Sequence, residues 1–209
     1  MSGAVRLLCT LVCVAVLGGC GGAGGATLGL LSPRGLTVTG QDGLRIDGEL
    51  RPPARLTSRF PEAVYGYADS NTATFVLVSR DRDAADARPE QAAVLRMFWR
   101  PRAGRTPIER TATNATLQYL VFPPGGEAGV YTGAGFIMPD GEPGDDRLGV
   151  EVQDAYVQLR DAGPRFLDLL GRAELDGSFT ARRDDARARA LLRELETQAA
   201  EALGYRVAF

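Results

Sequence analysis

The residue best placed for chemistry is Cys20, a thiol at the end of the segment Leu17-Gly18-Gly19-Cys20. An apolar run from Leu7 to Leu17 lies directly before it, and Arg6 precedes that run. The run is too short to cross the hydrocarbon core of a bilayer, which needs about 20 apolar residues. A basic start, a short apolar stretch and a pair of small residues are typical of a cleaved targeting segment. A plain signal peptide ends in an Ala-x-Ala-like site, whereas here a thiol follows the small pair.

On these residues, positions 1–20 resemble the precursor of a bacterial lipoprotein. The resemblance implies a diacylglyceryl thioether on Cys20 and removal of residues 1–19. In such families an aspartate after the cysteine is a retention signal, so Gly21 favours the outer membrane over the inner membrane. We expect a protein of the bacterial cell envelope that is attached to the membrane through the lipid on Cys20.

The cysteine count fits an exported chain without disulfides. Cys9 and Cys13 lie in the removed segment, so the mature chain keeps only Cys20 and must fold on its hydrophobic core. Residues 20–34 are Gly-rich and predict a flexible lipidated tether. Residues 35–209 are numerous enough for one β-rich domain.

Two absences from the composition restrict the chemistry. The chain contains no histidine and no lysine, so it cannot form a Ser-His-Asp or Cys-His relay, a Schiff base or a phosphate-loop lysine. Histidine is also the commonest transition-metal ligand. Removal of Arg6 leaves 23 basic and 26 acidic side chains, a net charge of about −3, which argues against nucleic-acid binding. We predict no enzyme activity and no cofactor or metal.

Apolar residues alternate with polar ones over most of the domain, which is the period of a β-strand. Turn-rich pieces separate the runs, and no connection has the length that parallel strands require. The pattern predicts an antiparallel β-sandwich, favoured over a barrel. The strands beside Asp42-Gly43 predict a hairpin. Further strands are predicted at Ala63–Ala68, Thr72–Ser79, Ala93–Arg100, Ala115–Phe122, Gly129–Met138, Leu148–Arg160 and Arg172–Arg182.

Three local features stand apart from this alternation. The apolar phase slips by one residue within Leu148–Arg160, which predicts a β-bulge near Gln153-Asp154. Pro164–Leu170 predicts a short helical turn. An amphipathic helix is predicted at about 184–203, because its leucines and alanines form one stripe of period 3.6. We expect this stripe to pack on the sheet.

Charged residues gather in two loops. Asp140, Glu142, Asp145 and Asp146 lie within seven residues, and calcium prefers oxygen ligands, but the spacing matches no EF-hand. A solvated acidic turn is therefore favoured over a calcium site. An arginine cluster lies in and before the loop that follows the strand carrying Trp99. In a meander the two loops emerge at the same end, where their charges could neutralise one another or form a recognition surface. The cluster comprises Arg96, Arg100, Arg102, Arg105 and Arg110.

Trp99 is the best single candidate for a ligand platform. Phe98 and Trp99 are adjacent, so they point to opposite faces of a strand and only one of them faces inward. If Trp99 faces outward, its ring could stack on a sugar or another partner.

These observations favour a non-enzymatic structural or binding module of the envelope, whose partner is another envelope protein or a glycan. One alternative is a lipocalin-like carrier, in which the strands close around an apolar ligand. The other is an envelope glycan hydrolase that uses paired carboxylates. The residues do not distinguish among specific ligands or oligomeric states.

Overall fold

The computed structural model describes residues 35–41, 44–46, 49–80, 89–102, 112–125, 127–142 and 144–209. Eleven strands and one helix lie within these described residues. They are β1 Gly35–Gly40, β2 Leu44–Ile46, β3 Glu49–Arg51, β4 Arg55–Ser58, β5 Glu62–Tyr67, β6 Ala73–Arg80, β7 Pro89–Met97, β8 Ala115–Val121, β9 Gly129–Asp140, β10 Arg147–Ala162, β11 Arg172–Arg183 and α1 Asp185–Leu203.

The strands β5 to β11 close into a seven-stranded barrel. Strands β5 to β10 form an antiparallel meander, and β11 pairs with β10 along its length. The ring is completed by a short parallel pairing of β11 with β5, in which Arg182 lies opposite Val64 and Arg183 opposite Tyr65. The predicted β-sandwich is therefore wrong. Sandwich and barrel strands share the same inward and outward alternation, and only the pairing between β5 and β11 distinguishes them.

Strands β1 and β4 lie beside the ring. Gly35–Gly40 pairs with Ser178–Ala173 of β11 on one edge and with β4 on the other. Strand β2 pairs with β3. The hairpin predicted around Asp42-Gly43 is not formed by its flanking strands, because long-range pairing with β11 replaces the local one; the two turn residues themselves lie outside the described residues.

The barrel interior forms the first hydrophobic core. It is filled by large side chains that are at most 2% exposed. They include Tyr65, Phe75, Leu77, Leu95, Leu117, Tyr119, Tyr131, Ile137 and Leu148. Aromatic rings contact one another along this interior; the ring centres of Tyr119 and Tyr131, for example, are 6.4 Å apart.

The helix α1 packs on the outside of the barrel, as its apolar stripe predicts. Ala188, Leu191, Leu195, Ala199 and Leu203 are buried against the outward valines and leucines of the meander, which form a second core. The Asp184 side chain caps the first turn by accepting the Arg187 N–H, and Gly204 ends the helix in the left-handed conformation.

The predicted β-bulge is confirmed in β10. The register shifts between Val152 and Ala155, and Asp154 has a positive φ of 45°. Just beyond the bulge, Gly133 pairs with Val157, and a side chain at Gly133 would collide with the Tyr156 backbone, so glycine is required there. The bulge increases the local bend and helps the 16-residue strand follow the barrel wall.

The segment Pro164–Leu170 is not a helix. It crosses the lower end of the barrel, where β8 and β10 end, as a series of turns and bends. Asp168 accepts hydrogen bonds from the Leu170 and Gly171 N–H groups, and this local bonding competes with a helix. Leu170 is buried in the interior core, so tertiary packing, and not local sequence, decides the conformation of Pro164–Leu170. The described residues include no helix that is both long and apolar enough to span a bilayer.

Candidate functional site

The two charged loops meet at the upper end of the barrel, where β7 and β9 end. Arg100 forms an ion pair with Glu142 at 3.3 Å and also donates to the Gly141 carbonyl. The predicted proximity of the arginine cluster and the acidic loop is confirmed for this pair. Arg96 instead donates to the Phe209 carbonyl. Arg105 and Arg110 lie outside the described residues.

Hydrogen bonds hold the acidic loop in place. The Glu142 N–H donates to the Asp145 carboxylate at 2.7 Å, and Tyr65 donates its hydroxyl to the Asp145 carbonyl. Arg183 donates to the Gly144 carbonyl at 3.0 Å. Across the described residues, no group of three or more acidic, histidine or cysteine side chains is arranged as a metal site, and this part of the chain includes Asp140, Glu142, Asp145 and Asp146.

Trp99 lies at this upper end with its ring half-buried. Its Nε1 donates to the Thr113 carbonyl at 3.3 Å, and its ring meets Phe136 edge to face at 6.1 Å. The neighbouring Phe98 is the more exposed of the two aromatic residues, at 47%. Packing against Phe136 therefore uses much of the surface that a ligand platform would need.

Two buried tyrosines form hydrogen bonds at the lower end of the barrel, and one of these bonds holds Pro164–Leu170 against it. Tyr131 donates its hydroxyl to Asp168 at 2.6 Å, and Tyr119 donates to Gln91 at 2.5 Å. Burial, followed by the hydrogen bond to Asp168, raises the pKa of Tyr131, and burial raises the pKa of Tyr119 to about 12. Both phenols are therefore neutral hydrogen-bond donors at neutral pH, a structural role.

A cleft of about 480 Å³ opens on the outside of the barrel where β5 and β11 begin to diverge. We name it the seam cleft. Its lining combines the bend before β5 with outward side chains of β10 and β11. The lining residues are Phe60, Pro61, Glu62, Ala63, Val64, Arg147, Thr180 and Arg182.

The topology explains why the seam is open. One edge of β11 pairs with β10, and the other edge pairs first with β1 and then with β5. On this second edge, pairing with β1 ends at Ser178 and pairing with β5 begins at Arg182. Within the described residues, Phe179–Ala181 therefore has a strand partner on one edge only, which is β10. Among the described residues, the hydrogen-bond ladder of the barrel wall is thus interrupted over three residues, a stretch that we call the gap.

The main chain of Thr180 points into this gap. At one end of β11 the Arg172 carbonyl accepts from Gln41, on the β1 side, and at the other end the Arg183 N–H donates to Asp146, on the β10 side. Successive residues of an antiparallel strand direct their main-chain groups to opposite edges. Even-numbered residues of β11 thus face β1 and β5, so the N–H and C=O of Thr180 face the seam cleft.

The charges around the cleft are unequally paired. Glu62 contacts Arg187 at 2.6 Å and Arg80 at 3.5 Å. Arg182 pairs with Asp184 at 2.9 Å. The Arg147 side chain is exposed, and it forms no hydrogen bond or ion pair with any described residue. The cleft therefore offers a guanidinium, the Thr180 hydroxyl and one main-chain donor and acceptor to an external group.

Sequence reasoning did not single out Arg147, Thr180 or Glu62. Arg147 follows the acidic loop, and Thr180 lies within a predicted strand, but no local pattern shows that two remote strands separate beside them. Comparison of the chain with protein-family models, curated proteins and solved structures gives no match. The chemistry of these residues is therefore what indicates a function.

Proposed function

We propose that this protein is a lipid-anchored, non-enzymatic binding module of the bacterial envelope, and that the seam cleft is its binding site. The observation that carries the binding role is the interrupted ladder beside Thr180, because unpaired strand edges recruit additional chains. The membrane attachment is supported by the segment Leu17-Gly18-Gly19-Cys20. The outer membrane is favoured because Gly21 replaces the retention aspartate.

Fractionation and metabolic labelling with a radioactive fatty acid test the anchor. The Cys20→Ser variant should lose the label and remain unprocessed or mislocalised. The matched control is Cys13→Ser, which removes a thiol from the targeting segment and should keep both label and location. A Cys20→Ser protein that is mature, labelled and membrane-bound would disprove the lipid anchor.

Site-directed cross-linking in intact envelopes tests the binding role. A lipidated Cys20 has no free thiol, so Thr180→Cys places a single reactive thiol in the seam cleft. Arg172→Cys places the same thiol on the same strand at the lower end, about 27 Å away by strand rise. A cross-linked species specific to position 180 and competed by excess uncross-linkable protein is expected. Equal products at both positions would refute a binding role for the cleft.

The two alternative functions gain less support. The filled barrel interior favours a structural core over the apolar cavity of a lipocalin-like carrier. At the lower end, the Asp168 carboxylate is engaged by Tyr131 and by two main-chain N–H groups, so it serves as a fastening for the crossing segment. A glycan hydrolase needs two carboxylates free to act on one bond.

A further inference from the structure

We infer that the ligand of the seam cleft is the carboxyl-terminal end of an extended peptide, with its terminal carboxylate on Arg147 and its main chain paired with Thr180. This inference rests on the proposed binding role of the cleft and adds the chemical class of the ligand.

The charge of the ligand follows from Arg147. It lies on the cleft wall beside Arg182, its neighbour across the β10–β11 ladder. The acidic group of the lining, Glu62, is already engaged by two arginines, and Arg182 has Asp184. Of the two arginines that line the cleft, Arg147 is therefore the one whose side chain has no acidic partner among the described residues. A guanidinium binds a carboxylate through charge-assisted hydrogen bonds, so the complementary group is a carboxylate rather than an amine.

The peptide character follows from Thr180. Its N–H and C=O both face the cleft, so they match the C=O and N–H of one residue in an added strand. Pro61 and the partly buried Phe60 give the cleft an apolar wall that can contact small apolar side chains.

The chain end follows from the length of the gap. Three residues of strand span about 10 Å. A strand that continued past the gap would collide with β1 below Ser178 or with β5 above Arg182. A terminus can stop within the gap and leave the surface at its other end.

Fluorescence anisotropy with the full mature protein in detergent micelles tests the inference. The probe is the peptide Ala-Ala-Ala-Val labelled with fluorescein at its amino terminus, prepared with a free carboxylate and with a terminal amide. The free acid should bind, and the amide should bind about tenfold more weakly, because it removes the charge without changing the shape. This comparison requires no protein variant and is therefore independent of folding.

Two substitutions assign the effect to Arg147. Arg147→Gln should weaken binding of the free acid about tenfold and leave binding of the amide unchanged. Arg172→Gln removes the same charge at the lower end of β11, away from the cleft. It should change the affinities for the free acid and for the amide by less than about twofold. Because Arg147 is exposed and without a partner among the described residues, both variants should melt like the wild type.

Equal binding of acid and amide would overturn the inference, as would equal sensitivity to the two arginine substitutions. Binding of neither peptide would also overturn it. In that case a competed, position-specific cross-link at Thr180→Cys would leave the proposed binding role standing, so the two failures are distinguishable.

Discussion

Leu195 lies at the centre of the contact between α1 and the barrel, and its truncation measures that contact. The side chain is fully buried, with 0% exposure, in the second core between the helix and the outer face of the meander. Leu195→Ala removes the transfer free energy of the buried methyl groups and leaves a cavity, which together cost about 3 kcal/mol within a range of roughly 2 to 5. A free-energy change of 1 kcal/mol shifts Tm by about 2–4 °C in a domain of this size. Leu195→Ala should therefore lower Tm by about 6–12 °C.

Two probes locate the effect. Circular dichroism at 222 nm follows the helix, and the fluorescence of Trp99, the only tryptophan, follows the upper end of the barrel. Since the helix covers a continuous apolar face of the meander, both transitions should shift together. Arg193→Ala changes an exposed residue two positions before Leu195, on the opposite face of the helix, and is the control, with an expected shift below about 1 °C. If Leu195→Ala and Arg193→Ala melt alike, the helix does not stabilise the barrel and the packing argument is refuted.

Three further outcomes are expected from the described contacts. Because the pKa of Tyr119 is raised from 10 to about 12, its contribution to the free energy of unfolding is complete below pH 10 and is lost as pH rises to 12. Chemical denaturation at pH 9–12 should therefore show an unfolding free energy that declines with pH, and Tyr119→Phe should make this decline shallower. The same decline in the wild type and in Tyr119→Phe would contradict this. Millimolar calcium should shift Tm by less than about 1 °C, and a larger shift abolished by Asp145→Asn would reveal a calcium site. Glu194 contacts Arg80 through both carboxylate oxygens, at 2.6 and 3.0 Å. Because Glu194 is more than one-third exposed, Glu194→Gln should lower the free energy of unfolding by less than about 1 kcal/mol, with Glu201→Gln as the exposed control. A loss of stability that added salt does not reduce would contradict the interpretation as a partly exposed ion pair.

Local patterns predicted most elements near their observed places. Thr72–Ser79 corresponds to β6, Gly129–Met138 to β9 and Arg172–Arg182 to β11. The phase slip in β10 predicted the bulge, because alternation of side chains records each extra residue directly. The helix was predictable because its stripe and its cap, Asp184, are both encoded within one continuous segment.

The sequence did not predict the seam cleft, but it did predict one contact between the charged loops at the upper end of the barrel. A meander brings alternate loops to the same end, which is sufficient to place Arg100 near the acidic loop. The orientation of Trp99 was not accessible, because adjacent residues beyond a strand end no longer follow strict alternation. Packing against Phe136 decided it.

The sequence by itself determined the alternation that makes a β domain and the amphipathic stripe of α1, and it predicts the targeting segment, since each depends on residues that are neighbours along the chain. The tertiary structure alone decided that the sheet closes into a barrel, that Pro164–Leu170 crosses its lower end and that a gap opens beside Thr180. The closure and the gap depend on pairing between segments more than 100 residues apart, such as Val64 and Arg182. Such a pairing is selected by the packing of the whole core, and a local pattern contains no information about where the pairing stops.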